Sequence, residues 1–381
     1  MKKILIINDL LQGGGVEKLM LDIVNYFHNK YEITVMTKEN DNDHKKVLPD
    51  NVHYMSFGAL NNEYSGNVFA MTVGRIKHRL QINEIKKAIN NQKFDVLLCM
   101  KEGWTMNDAL IFAGDIPYKI AWVHTDYSKS YYTGDIYKTA EAEIAIMKNY
   151  NKIICVSKVI EESIKTVIGN PGNLTVTYNP VDKDDIVSKA KEPVEDIFRS
   201  ERPLFVSVGR LNIQKGYDVL MEVCNLLNSD GYEYDVWIIG GGEKCNNYQV
   251  LHSLEDQIRR YHLDNVYLLG AKKNPHKYVR QADWFLSTSR YEGYSYVSQE
   301  AAIVGKPLML TECSGVMELL GLESNGIVME NSFKGIYYGM KKVIENPELS
   351  KEYSNRIKIK THKEYWDDQM KKIEKLFMAE E

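Results

Sequence analysis

The chain has 381 residues, 44% of them hydrophobic and 26% charged, and its 48 basic against 52 acidic side chains leave a net charge of −4. At about 100–200 residues per domain this length implies two domains with sizeable cores, and the near-neutral balance excludes a protein that grips nucleic-acid duplexes through a broad basic excess. The five cysteines, Cys99, Cys155, Cys224, Cys245 and Cys313, are scattered without a C-x-x-C pair. That pattern argues against a disulfide framework or a zinc site and for a reducing compartment.

The N-terminus, MKKILIINDLLQGGG, has an apolar core of only Ile4–Ile7 before Asn8 and Asp9, short of the roughly 7–15 residues of a signal-peptide core. It reads as a first strand. No run approaches the ~18 apolar residues of a membrane span, so the expected location is the cytoplasm, with peripheral attachment to the inner membrane face as an extension. The next short apolar runs, Ile33–Met36, Val96–Met100, Ile120–Val123 and Ile153–Val156, suit parallel strands buried on both faces. Helical patterns at Val16–Phe27, Ile76–Ile89, Ala140–Met147 and Ile160–Ile168 lie between them. The alternation restarts with strands Leu204–Val208, Val236–Ile239, Val266–Leu269, Trp284–Leu286 and Pro307–Leu310. Helices at Val219–Leu227, Leu251–Tyr261, Tyr296–Val304 and Ile336–Ile344 accompany that second set. The charged stretch between the sets places a hinge near 183–202. This is the signature of two doubly wound α/β domains with a cleft between them. A final helix over 362–378 carries Tyr365, Trp366, Met370, Ile373 and Phe377 on a face that must pack on something.

Ligands of open parallel sheets bind beyond the carboxyl ends of the strands, so the loops after strands carry the information. Gly13-Gly14-Gly15 precede the first helix and allow an anion or a ligand to approach the backbone; a plain tight turn is the alternative. Strand Leu204–Val208 runs into Gly209-Arg210-Leu211-Asn212-Ile213-Gln214-Lys215-Gly216, where two cations five residues apart suit a phosphate or diphosphate; incidental solvent-facing charge is the alternative. Gly240-Gly241-Gly242-Glu243 follows the next strand and serves equally as a flexible turn. Glu292 sits in a loop with Gly293, Tyr294 and Ser295, and Glu300 lies in the helix behind. The two carboxylates can face one ligand at different depths, or Glu292 simply complements the helix dipole. His124 ends strand Ile120–Val123 beside Thr125 and Asp126.

The combination of VGRLNIQKG, YEGYSYVSQEA with two glutamates, Gly305-Lys306-Pro307 and Glu318 resembles family 4 of the retaining, nucleotide-sugar-dependent glycosyltransferases. The Gly13–Gly15 loop, His124 and Tyr178-Asn179-Pro180-Val181-Asp182 support the resemblance across nearly the whole chain. It implies the α/β GT-B fold, two Rossmann-like doubly wound domains facing a cleft. An acceptor domain would span 1–190 and a nucleotide-sugar domain 200–361, with the helix at about 362–381 packing back on the first. By the resemblance, Arg210 and Lys215 hold the diphosphate, Glu292 lies at the donor sugar and Glu300 grips the ribose. Gly293, Tyr294 and Ser295 offer their amides to sugar and phosphate. His124 stands near the sugar, and Gly13, Gly14 and Gly15 near the phosphates and acceptor. Glu292, His124, Arg210 and Lys215 are the catalytic set.

The expected donor is a UDP- or GDP-sugar, the acceptor a glycan or lipid-linked glycan in capsular or other surface polysaccharide synthesis. No metal or cofactor is expected, since two side-chain cations neutralise the leaving group and no D-x-D motif follows a suitable strand. The stretch VGRIKHRLQINEIKKAIN puts Arg75, His78, Arg79 and Lys86 on one helical face, with Ile76, Leu80 and Ile89 on another. That basic face suits an anionic membrane surface, or is an ordinary solvated face. Tyr127, Tyr131 and Tyr132 after His124 offer sugar stacking or simple packing. The rival readings are a non-catalytic nucleotide-sugar binder and a nucleotide-sugar epimerase. A dinucleotide oxidoreductase is disfavoured, because no G-x-G-x-x-G follows the first strand.

Overall fold

The computed structural model describes residues 1–57, 80, 82–241, 248–320, 326–357 and 363–378. The chain divides into two units, Met1–Tyr178 together with Met370–Glu381, and Asn179–Gln369. Both are parallel-sheet α/β units, the architecture expected from the alternating pattern.

In the first unit the elements run β1 (Lys3–Asn8), α1 (Gly15–Phe27), β2 (Glu32–Thr37), β3 (His53–Ser56), a helix α2 over 82–92, β4 (Val96–Cys99), α3 (Trp104–Ala113), β5 (Tyr118–Val123), α4 (Thr133–Tyr137), α5 (Ala140–Met147), β6 (Lys152–Cys155), α6 (Lys158–Val167) and β7 (Leu174–Val176). The seven strands order as β3-β2-β1-β4-β5-β6-β7, every pairing parallel. The order reverses between β1 and β4, so the loops after those two strands flank the sheet's switch point.

The second unit runs α7 (Lys183–Ala190), β8 (Leu204–Val208), α8 (Tyr217–Ser229), β9 (Asp235–Ile239), α9 (Tyr248–Tyr261), β10 (Val266–Leu268), α10 (His276–Gln281), β11 (Trp284–Ser287), α11 (Tyr296–Ile303), β12 (Leu308–Thr311), α12 (Val316–Leu320), β13 (Gly326–Met329), α13 (Phe333–Glu345) and α14 (Glu348–Arg356). Its six strands order as β10-β9-β8-β11-β12-β13, again all parallel. Each central strand is apolar on both faces because each face is covered. Phe205, Val236, Leu286 and Met309 pack with Leu220 and Leu227 of α8 and with Ile336 and Met340 of α13. Their neighbours Val206, Trp237, Phe285 and Leu310 face the other way, against Tyr278 of α10 and Ala301 of α11. The switch point of this sheet lies between β8 and β11.

The expected hinge interval 183–202 falls inside the second unit. Its first part forms α7, which buries Ile186 and Ala190. Lys189 O accepts from Asn274 Nδ2 at 2.8 Å, and Pro180 O accepts from Tyr296 Oη at 2.6 Å. The high charge of this stretch marks the outer face of a docked helix.

The last helix, α15 (Lys363–Phe377), buries Met370, Ile373 and Phe377. Phe377 meets Phe27 and Tyr31 edge-on at 5.4 and 6.0 Å between ring centroids. Tyr31 Oη donates to Glu374 Oε1 at 2.6 Å. The residues from Met370 onward thus belong with the first unit. On α2, Ile89 is buried and Lys86 exposed, but Leu80 is 57% exposed and does not continue an apolar face. Arg75, Ile76, His78 and Arg79, like Gly242, Glu243 and Cys245, lie outside the described residues. Among the described residues no helix is long and apolar enough to cross a membrane.

Candidate active site

The switch point of the second sheet brings the loop after β8 beside the loop after β11. Asn212 Oδ1 accepts from the Lys215 backbone N–H at 3.3 Å and starts a short 3-10 turn over Ile213–Lys215. Gly216 ends that turn with φ +66°, a left-handed conformation that an L side chain resists. Lys215 O accepts from Thr288 Oγ1 at 2.9 Å, and the Lys215 stem passes over Gly209. These constraints deliver Lys215 Nζ to within 2.6 Å of Glu292 Oε1, with side-chain exposures of only 14% and 15%. Ser289 Oγ donates to the same Glu292 oxygen at 3.0 Å. Ser289 is itself held by Thr311 Oγ1, which donates to its carbonyl at 2.6 Å.

Burial works against the Lys215 ammonium, yet the Glu292 carboxylate outweighs it and holds the pKa above the ordinary lysine value. Arg210 is exposed and near enough for its charge to oppose that of Lys215. Among the described residues no carboxylate pairs with Arg210. Of the two sequence-predicted cations, Lys215 is thus paired with Glu292 and Arg210 adds an exposed positive charge nearby, an arrangement that attracts negative charge. Ser295 caps α11, accepting from the Ser298 N–H at 3.4 Å. Glu300, one turn further on, is 5% exposed, and its Oε2 lies 3.9 Å from His276 Nδ1. Gly293 and Tyr294 fill the loop between Glu292 and this cap.

In the first unit Gly13, at φ +133°, and Gly14 lead into α1, whose first turn starts at Gly15 and has no side-chain cap. His124 follows β5. Its Nε2 lies 2.9 Å from Met100 O, and its backbone N–H donates to Glu102 Oε2 at 3.1 Å. Burial, opposed by Glu102, pulls the ring's pKa below the ordinary histidine value. The carboxylate at His124 is thus Glu102 rather than Asp126, which accepts from Ser128 N and Oγ in its own turn. Tyr127 and Tyr131 both donate to Glu143, at 2.6 and 2.8 Å, so Tyr127 is buried framework and not a sugar platform.

Sequence motifs alone passed over several residues here. Asp9 accepts from Lys101 Nζ at 3.0 Å and Thr105 Oγ1 at 2.8 Å at the first sheet's switch point. Ser289, Thr288 and the Arg290–Asp218 pair surround Lys215 and Glu292. The signal for the last was the arginine two residues before Glu292.

The glycosyl transferases group 1 family model matches residues 188–360, and the glycosyltransferase family 4 model matches residues 13–185. The chain belongs to the group 1 glycosyltransferases. An uncharacterized glycosyltransferase of Methanocaldococcus jannaschii is 28% identical over 61% of this chain and 57% of its own length. The N-acetylgalactosamine-N,N'-diacetylbacillosaminyl-diphospho-undecaprenol 4-alpha-N-acetylgalactosaminyltransferase of Campylobacter jejuni is 28% identical over 52% of each. The chain thus spans about half the length of these curated relatives. Among solved structures, Anabaena HepE in complex with UDP-glucose superposes with a TM-score of 0.76 at 15% identity, covering 98% of this chain and 99% of that one. The fold of this group 1 glycosyltransferase is accordingly GT-B, with parallel sheets of seven and six strands.

Proposed function

We propose that this glycosyltransferase moves a sugar from a nucleoside-diphosphate donor, a UDP-sugar in the first instance, to a glycan or lipid-linked glycan acceptor with retention of anomeric configuration, as a step in surface-polysaccharide synthesis. The observation that carries the reading is the 2.6 Å Lys215–Glu292 pair, with Arg210 close by, at the switch point of the second sheet. Two cations held near one carboxylate favour a ligand that brings further negative charge beside a neutral polar group. A sugar diphosphate has both. The donor preference draws on the UDP-glucose bound by HepE, and the acceptor class on the undecaprenol-linked substrate in the name of the Campylobacter relative.

In the reaction the bond between the anomeric carbon and the phosphate oxygen breaks. The acceptor oxygen bonds to the same face of that carbon, and its proton passes to the departing diphosphate. Arg210 and Lys215 offset the charge that develops on that leaving group, the kind of fixed electrostatic stabilisation that dominates many enzymes. Glu292 orients the sugar through its hydroxyls, and Glu300 the ribose. The amides of Gly293, Tyr294 and Ser295 bind sugar and phosphate. His124 and Gly13–Gly15 are assigned by family resemblance to the sugar and to the phosphate and acceptor. The domain roles follow, with acceptor binding in 1–190 and donor binding in 200–361. Peripheral attachment through Arg75, Arg79 and Lys86 completes the proposal. Loss of flotation on phosphatidylglycerol vesicles when all three are reversed to Glu is its test, and unchanged binding removes it.

The decisive assay incubates the enzyme with UDP-, GDP- and ADP-sugars and an acceptor panel, following nucleotide release and the product's anomeric coupling by NMR. Transfer from an α-donor to give an α-product supports the reading. Nucleotide-sugar binding without turnover, interconversion of the donor, or an inverted product overturns it.

A further inference from the structure

The loops that carry Lys215 and Glu292 are laced together through a side chain that stands outside the expected diphosphate and sugar set. The Arg290 backbone N–H donates to Gln214 O at 2.7 Å. Its Nη1 donates to Ile213 O at 2.6 Å. The same guanidinium forks onto the Asp218 carboxylate in the first turn of α8, Nη1 to Oδ1 at 2.8 Å and Nη2 to Oδ2 at 2.7 Å. Gln214 returns the contact, its Nε2 donating to Tyr291 O at 3.0 Å, and Asn331 Nδ2 donates to Arg290 O at 2.9 Å. One residue therefore touches the chain one and two positions before Lys215 and three positions after it, while standing two positions before Glu292. The planar guanidinium makes that register directional, because a fork on a carboxylate fixes orientation as well as distance.

Resting on the function proposed above, the geometry points to Arg290 as a positioning residue. Clasped by Asp218, it sets the register of the Lys215 loop against the Glu292 loop, and so the spacing of the ammonium and carboxylate that the donor must fit. The pair itself is well solvated, with side-chain exposures of 34% and 49%, and exposed ion pairs contribute little to folding stability. Without the Arg290 side chain the loops still share the Arg290 N–H bond to Gln214, the Thr288 bond to Lys215 O and the Gly216 packing. The register then loosens while the fold survives. A lysine at 290 reaches one of the two partners and cannot form the fork.

The test uses Arg290→Ala, Arg290→Lys and Asp218→Asn in the full chain, with two independent readouts. In steady-state kinetics, kcat falls about 10- to 100-fold in all three, as for a catalytic group displaced by a fraction of an ångström to an ångström. The donor KM moves less than about threefold, because the binding cations remain present, and the melting temperature shifts by no more than about 2–4 °C. The lysine variant does not rescue. In competitive reductive methylation read by mass spectrometry, Lys215 reacts at least about tenfold faster in the variants than in the parent, since its protecting pair opens locally. Lys272, paired with Asp196 elsewhere in the unit, keeps its rate. An unchanged kcat, a loss of kcat that merely tracks the melting temperature, or an unchanged Lys215 labelling rate overturns the role of Arg290. If the parent enzyme turns over no nucleotide sugar, the proposed function fails, and the labelling rate alone decides the positioning claim.

Discussion

Gly216 and Thr288 approach so closely that a Cβ on residue 216 would lie 2.2 Å from the Thr288 carbonyl oxygen. That contact seats the Lys215 loop on the end of β11, and it leaves space for hydrogen alone. Gly216→Ala therefore combines a collision with backbone and a left-handed penalty of about 1–2 kcal/mol. Scanning calorimetry should show a lower melting temperature, and UDP titration a weakened complex. A variant that melts and binds like the parent would contradict this packing.

Glu292 governs the charge of Lys215. With its raised pKa, the stabilisation that Lys215 gains from the pair is fully present below the unfolded lysine value and is lost only as pH rises through the higher folded value. Glu292→Gln removes the carboxylate that chiefly opposes burial, so the Lys215 pKa falls. The expected outcome is UDP binding that stays level for the parent between about pH 7 and 9 and declines with rising pH in the variant. A level profile for Glu292→Gln would show that Glu292 does not hold the proton on Lys215.

His124 titrates in the opposite sense. Its folded pKa lies below the unfolded value of about 6.5. Its neutral ring therefore adds stability above that value, and the contribution is lost as pH falls through the folded pKa. With Nε2 donating to Met100 O, the neutral ring carries its proton there and leaves Nδ1 as an acceptor. Urea midpoints from pH 7 to 5 should fall more steeply for the parent than for His124→Asn, and nitrogen NMR should report the Nε2–H tautomer. Equal slopes would contradict the assignment.

Most of this fold was legible because its central strands are buried on both faces. Ile4–Ile7, Ile120–Val123 and Val236–Ile239 read as continuous apolar runs and lie within β1, β5 and β9. The strands that escaped are the edge strands β3, β7 and β13, which pair on one side only and whose apolar runs are short, as beside His53 and Thr175 or after Gly326. The charged interval 183–202 lies inside the second unit because a charged segment can be the outer face of a docked helix, as α7 is, and composition does not distinguish that from a linker. At the site, Lys215 and Glu292 were readable as post-strand residues 77 positions apart. Their supports were not. Nothing in sequence spacing joins Ser289 to Thr311, Asp218 to Arg290 or Glu102 to His124, since those contacts arise only where neighbouring strands end together.

The last helix tests the packing of the first unit. Phe377 is 1% exposed between Phe27 and Tyr31, so Phe377→Ala should cost about 3–5 kcal/mol, as large buried aromatics do. Because Arg210 and Lys215, the proposed diphosphate cations, belong to the second unit, UDP affinity should be largely preserved at temperatures where the variant is folded. An unchanged denaturation midpoint would contradict the packing of α15.

The most direct test of the account is calorimetric titration of UDP into the parent, Arg210→Ala and Lys215→Ala proteins. Binding to the parent, with at least about a tenfold loss in each variant as expected for removing a charge-assisted contact, is the predicted result. UDP binding of undiminished strength to Lys215→Ala and Arg210→Ala would contradict it.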